Sequence, residues 1–144
     1  MKTTTPLDAE TVAQLANGFR GTLIQPGDSG YDDARMVRNG LIDRSPALIA
    51  RVHGTADVVA AVNFAREQGL DLSVRGGAHN VAGLATNDSG IVIDLSEMRA
   101  VLVDPAGQTA FAQGGALWGD IDRETQMFGL AAPGGVISTT GIGG

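Results

Sequence analysis

The chain has 144 residues, room for one domain with a core, and 43% of them are apolar against 18% charged, so it is globular rather than disordered. It has no cysteine and only two histidines, His53 and His79, which excludes disulfides, thiolate metal sites and a cysteine nucleophile and argues against a multi-histidine metal site. The net charge of −6 argues against nucleic acid or an anionic membrane as partner, no apolar run approaches the roughly 20 residues that span a bilayer, and residues 1–6 lack a basic-then-apolar signal pattern, so a cytoplasmic location is the expectation.

The first helix is expected to open at Thr5-Pro6, with Thr5 as cap and Asp8 near the positive end of the dipole. Val12, Leu15 and Phe19 then share a face, and Asn17-Gly18 stops the run. Residues 22–43 read as irregular apart from a short strand at Leu23-Ile24. Residues 47–52 read as a strand. Residues 55–69 are the clearest helix, with Thr55 as cap, Val58, Val62 and Ala65 at helical spacing, and Gly69 as stop. Residues 71–75 alternate, with Leu72 and Val74 expected inward. The unbroken apolar run 91–95 is typical of a strand covered on both faces. Residues 100–104 and 109–113 flank the turn sequence Asp104-Pro105-Ala106-Gly107 and read as a hairpin. An amphipathic helix is expected over 117–128, with Leu117, Ile121 and Phe128 on one side, followed by a short strand at 130–132.

Glycine is the outlier, at 21 of 144 residues against a usual share of about 7%. Residues 66–77 and 126–135 echo one another: helix end, glycine, leucine, short strand, then Gly76-Gly77 or Gly134-Gly135. In α/β sheets such a turn at a strand's C-terminal edge is where ligands bind. A diglycine there is either a tight turn or a site where positive φ and converging amides make an anion nest. Two in matching positions, with Gly141-Ile142-Gly143-Gly144, favour a phosphate-bearing cofactor. Neither familiar nucleotide motif fits. The only lysine is Lys2, so there is no P-loop, and residues 76–83 lack both the Rossmann glycine spacing and a following helix. His79, inside the first turn, reads as a turn residue, as a base oriented by Asp88 or Asp94, or as a nucleophile toward an electrophilic cofactor. His53 reads as a satisfied turn histidine, Trp118 as helix packing, and Asp120, Asp122 and Glu124 as a solvated helix face. Thr139 and Thr140 read as turn or strand residues, with the Thr140 hydroxyl also able to donate to a ligand.

Arg75-Gly76-Gly77-Ala78-His79-Asn80, then Gly83-Leu84, then residues 90–95 together resemble the FAD-binding domain of the vanillyl-alcohol oxidase superfamily. Within it they are most similar to the berberine-bridge-enzyme-like and 6-hydroxy-D-nicotine-oxidase branch. The resemblance runs from Ser45 to Gly144 and more loosely over residues 21–44. It implies an α/β (α+β) fold of small sheets flanked by helices, the N-terminal portion, residues 1–144, of one PCMH-type FAD-binding domain. The substrate domain and the catalytic base are then expected beyond residue 144. A chain stopping inside a glycine-rich turn is also expected to be a piece of a longer one.

The resemblance further implies that Val74, Arg75, Gly76, Gly77, Ala78, Asn80, Gly83 and Leu84 form one FAD-contact stretch. Gly134, Gly135, Thr140, Gly141, Gly143 and Gly144 form the second. His79 aligns with a histidine bonded to the 8α-methyl carbon of the flavin, a link that raises the potential and retains the cofactor. Ile137 stands where some members carry a second, cysteinyl link, so a single histidyl attachment is expected. The implied activity is that of a flavin-dependent oxidoreductase taking a hydride from a C–H bond beside O or N of a small organic substrate, with molecular oxygen as acceptor. The rival readings are a non-catalytic nucleotide-binding or structural module and a different nucleotide-dependent enzyme.

Overall fold

The structure, a computed structural model, describes residues 7–144. Along the chain run α1 (Ala9–Ala16), β1 (Thr22–Ile24), α2 (Tyr31–Arg35), β2 (Leu48–Arg51), α3 (Thr55–Gln68), β3 (Leu72–Arg75), β4 (Ile91–Asp94), β5 (Val101–Asp104), β6 (Thr109–Ala112) and α4 (Trp118–Gln126). β1 to β4 form one sheet in the order β1-β2-β4-β3, with β2, β4 and β3 parallel and β1 antiparallel at the rim. β5 and β6 form a separate antiparallel hairpin. No helix among the described residues is long and apolar enough to cross a membrane.

The sheet's centre follows from its apolar runs. Every residue of β4 is buried, as is the stretch 47–50 that carries most of β2. One face packs Leu48, Ala50, Val52, Ile91 and Ile93 against α3 and α1, with Val12 and Leu15 of α1, and Phe19 just beyond its end, contributing as expected. The other face packs Ile49 and Val92 against Ile24, Tyr31 and Ala34. Fully burying side chains of this size stabilises by about 1.5–3 kcal/mol each.

Several local expectations are corrected. The opening at Thr5-Pro6 lies outside the described residues, and Asp8 is the N-cap of α1, its carboxylate accepting from the Thr11 amide at 2.8 Å. α3 is capped by Gly54, with Thr55 as its first helical residue. Its inward face is Asp57, Ala61, Phe64 and Ala65, while Val62 is exposed. Its stop is as expected: Gly69 sits at φ 63 and its amide reaches the Ala65 and Arg66 carbonyls. Leu72 and Val74 are exposed rather than inward, because β3 is the last strand of its sheet and α3 does not reach over it. Residues 130–132 pair with no strand. Phe128 is exposed, whereas Ile121 is buried against the hairpin side. Asp120 belongs to no solvated face: it is 6% exposed.

Candidate functional site

β3 and β4 are adjacent and parallel, yet residues 76–90 between them contain no helix or strand. Such a crossover ordinarily carries a helix, and a long irregular connection in a compact domain is ordinarily functional. The loop leaves the C-terminal end of β3, where Leu95 N donates to Arg75 O at 2.9 Å. Its back is braced by an equally irregular segment: Arg38 N donates to Ala78 O at 3.0 Å, and Asn39 Nδ2 donates to Val81 O at 2.9 Å. The Arg44 guanidinium donates to Thr86 O at 2.9 Å and Gly83 O at 3.3 Å.

The front of the loop is different. The amides of Gly76, Gly77, Ala78, His79 and Asn80 donate to no protein acceptor among the described residues. Neither Gly76 nor Gly77 uses positive φ. The left-handed residue is Ala78, at φ 57. The glycines serve close approach instead. A Cβ on Gly77 would lie 2.7 Å from the Gly141 Cα and closer still to its amide nitrogen, and a Cβ on Gly141 would overlap the Gly77 amide in return. A Cβ on Gly76 or Gly143 would press on the Gly114 carbonyl, at 3.1 and 2.8 Å.

Residues 136–142 complete the second wall by binding the start of α4. Trp118 N donates to Thr140 O at 3.0 Å, Gly119 N to Ser138 O at 2.9 Å, and Ile142 N to Ala116 O at 3.0 Å. The positive end of α4 is therefore taken by loop carbonyls. Below it, the Asp120 carboxylate accepts from Leu117 N at 2.9 Å and from Arg99 Nε and Nη2 at 2.8 and 2.7 Å. The Arg99 guanidinium holds the Asp120 carboxyl below its ordinary range, against the effect of burial. At the start of α3, burial opposes ionisation of Asp57, but the Arg20 and His53 amides outweigh it and keep its carboxyl below the usual value.

Between the two loops lies a cleft of about 510 Å³. Of the residues expected from sequence, Val74, Gly76, Gly77, Ala78, His79, Asn80, Leu84, Thr140, Gly141, Gly143 and Gly144 line it. Arg75, Gly83, Gly134 and Gly135 lie off its lining. Arg75 turns to the opposite face of the sheet and donates to the Ala34 carbonyl. Gly83 packs under Ile42, and Gly134 and Gly135 run across the Trp118 ring. The echo between the two diglycines is thus not structural: the first follows a sheet strand, the second covers an indole. Ala85, Leu95 and Gly114 line the cleft without having been expected. Gly114-Gly115 is a third diglycine after a strand, and that signal marks it. The His79 imidazole has no hydrogen-bond partner among the described residues. Asp94 is held by Arg51 at 3.0 Å and by Ser96 N, and Asp88 accepts from Ser45 N, so neither orients His79. His53 is satisfied by Glu97 at 2.9 Å, as its sequence context implied.

No lysine or arginine lines the cleft among the described residues. A run of unpaired amides facing a glycine wall, beside apolar Val74, Leu84, Ala85 and Leu95, fits a cofactor with a polar phosphate portion and a flat apolar one. The sequence profile of a family described as an FAD binding domain matches residues 46–144. The chain belongs to that FAD-binding family. It is 42% identical to (R)-6-hydroxynicotine oxidase of Paenarthrobacter nicotinovorans over 126 residues, covering 88% of this chain and 28% of that protein. It is 33% identical to berberine bridge enzyme-like 14 of Arabidopsis thaliana over 114 residues, covering 74% of this chain and 21% of that one. A crystal structure of 6-hydroxy-D-nicotine oxidase from Arthrobacter nicotinovorans superposes with a TM-score of 0.83 at 42% identity, over 85% of this chain and 27% of that one. The fold is accordingly that of PCMH-type FAD-binding domains of the vanillyl-alcohol oxidase superfamily, in its berberine-bridge-enzyme-like and 6-hydroxynicotine-oxidase branch. The FAD-binding chain described here spans little more than a quarter of the length of the first of these relatives.

Proposed function

We propose that this chain is the N-terminal portion of the FAD-binding domain of a flavin-dependent oxidase, whose substrate-binding part and catalytic base lie beyond residue 144. The observation that carries the reading is the run of unpaired amides from Gly76 to Asn80, packed against Gly141 at Gly77 and lining a cleft with no lysine or arginine among the described residues. Those amides, with that of Gly141, hold the pyrophosphate as hydrogen-bond donors at fixed positions. Val74, Leu84 and Leu95 exclude water from the apolar side, and the Thr140 hydroxyl is free to donate to the cofactor. His79, unpartnered at the lip of the loop, is the point of covalent attachment through an imidazole nitrogen. A neutral imidazole is the nucleophilic form. With no cysteine in the chain, a second, cysteinyl link is ruled out.

When bound, FAD supplies an acceptor for a hydride from a C–H bond beside O or N of a small organic substrate, with molecular oxygen taking the electrons onward. The name of the 42% identical relative supports the oxidase assignment over a dehydrogenase. The test is intact mass and visible absorbance of the denatured full-length protein, beside His79→Ala. The expected result is a flavin that survives denaturation in the wild type and washes out of the variant. Flavin that washes out of both would remove the tether and keep the cofactor. A colourless protein after reconstitution with FAD would overturn the reading.

A further inference from the structure

We propose that Arg44 positions the later half of the 76–90 loop, holding Leu84 and Ala85 at the cleft through the Gly83 and Thr86 carbonyls, while the backbone of residues 38–45 braces the histidine turn at Ala78. The inference concerns this chain's own loop, and only its affinity readout rests on the FAD reading above. A trans peptide points its carbonyl and its following amide in opposite directions. The Ala78 carbonyl is bound from behind by Arg38 N, so the His79 amide is turned away from that segment, toward the cleft. The Val81, Gly83 and Thr86 carbonyls are likewise taken from behind, by Asn39 and Arg44. None of residues 38–45 lines the cleft.

Arg44 is the one charged side chain in this set, and a single guanidinium nitrogen serves two loop carbonyls. It is itself flanked by pairing to the loop's far end, where Ser89 N donates to Ser45 O at 2.8 Å. Ala78 holds a left-handed conformation that an L-residue adopts only when its surroundings impose it, and the Arg38 hydrogen bond falls on that same residue.

The experiment uses the full-length protein as Arg44→Met and Arg44→Lys. It reads amide hydrogen exchange of peptides covering 83–86 in the FAD-free state, where the Gly83, Leu84 and Thr86 amides are hydrogen-bonded, exchange of β4, and the dissociation constant of FAD in the His79→Ala background, where the cofactor binds reversibly. The expected result for Arg44→Met is exchange at 83–86 faster by about tenfold and FAD binding weaker by a similar factor, with β4 protected as in the wild type. Arg44→Lys, which keeps a charge able to reach one carbonyl, recovers part of both. Wild-type exchange at 83–86 in Arg44→Met overturns the proposal, and so does an acceleration shared equally by β4, which marks a merely structural residue. If Arg44→Met does not fold, the same two exchange readouts in Arg44→Lys decide. If the wild type binds no FAD, the cofactor reading fails while the exchange data still decide the role of Arg44.

Discussion

Gly77→Ala isolates the close approach of the two glycine loops. The φ of Gly77 lies outside the left-handed region, so alanine tolerates the backbone and the penalty is purely steric. The new Cβ would stand 2.7 Å from the Gly141 Cα and 3.3 Å from the Thr140 carbonyl carbon, against an optimal separation of about 3.5–4.0 Å between carbons. The loops must part by about 1 Å. Overpacking of that size costs about 1–3 kcal/mol, roughly five- to 150-fold in an equilibrium constant. Because both loops carry cleft lining, the loss is expected chiefly in FAD affinity, measured by fluorescence titration of the full-length protein in the His79→Ala background, where FAD binds reversibly, with a smaller fall in the urea midpoint. Gly40→Ala is the control, with ordinary φ and nothing within 4 Å of its added methyl. Affinity and midpoint in Gly77→Ala equal to those of Gly40→Ala would refute the argument that glycine is needed here for space.

Three further outcomes follow from the same geometry. Asp120→Asn strips the partner of Arg99 and is expected to cost about 1–2 kcal/mol near neutral pH, discounted because Arg99 is half-exposed. Since the folded state depresses the Asp120 pKa, that stability is present above the ordinary carboxylate range and is lost as pH falls through the folded value. The gap between urea melts of wild type and variant should therefore begin to close as pH falls below about 4 and vanish only once Asp120 is protonated in the folded state, and a gap that never narrowed would contradict the ion-pair account. Ile93→Ala, at a position 1% exposed between α3 and the sheet, should cost about 2–5 kcal/mol by chemical denaturation, and a loss under about 1 kcal/mol would show that the core can collapse there. Raising salt from about 0.05 to about 0.5 M should change the FAD dissociation constant of the His79→Ala protein less than about threefold, because amide dipoles act within hydrogen-bond range while point charges are screened. A tenfold weakening would reveal cations reaching the phosphates.

Elements held by their own sequence were legible, and those held by distant partners were not. The run over β4 announced a strand buried on both faces. The turn at Asp104 announced a hairpin because its signal is local: the Asp104 carboxylate accepts from the Ala106 and Gly107 amides, both at 3.1 Å. By contrast, α2 has only five residues, too few to show a period. The segment 38–45 owes its order to bonds with a loop some forty residues on, such as Arg44 to Thr86. Asp120 looked like solvated helix surface because its partner Arg99 precedes the helix by the length of the hairpin. Alternation in 71–75 correctly gave a strand, but no alternation tells whether anything covers Leu72 and Val74. Most of the cleft lining was legible as residue types, since only glycine answers the need for backbone contact. The reason differed: Gly77 is needed for the approach of Gly141, and the positive φ expected of the diglycine falls on Ala78.

The acidic composition and the proposed binding of an anionic cofactor are reconciled by where the cations go. Arg75, the one basic residue in the histidine turn, spends its guanidinium on the Ala34 carbonyl, locking the end of β3 to α2 on the face away from the cleft. The helix end nearest the second loop is likewise spent, its first amides bonded to Thr140 and Ser138 carbonyls. Neither of the two usual anion-binding devices is thus open to the cleft. What is left is a row of peptide dipoles in the histidine turn, pinned from behind at the Ala78 carbonyl by Arg38, in a loop braced further on by Asn39 and Arg44. Peptide planes pinned in that way cannot rotate to satisfy one another, so they keep their donors for a ligand. A net charge of −6 then matters little, because a dipole at hydrogen-bond distance outweighs screened charges lying beyond about 8–10 Å. The same logic ranks the variants. Neutralising surface acids should barely alter FAD affinity, whereas loosening one back-bonded carbonyl should lower it, and the reverse order would mean that net field rather than local geometry governs the site.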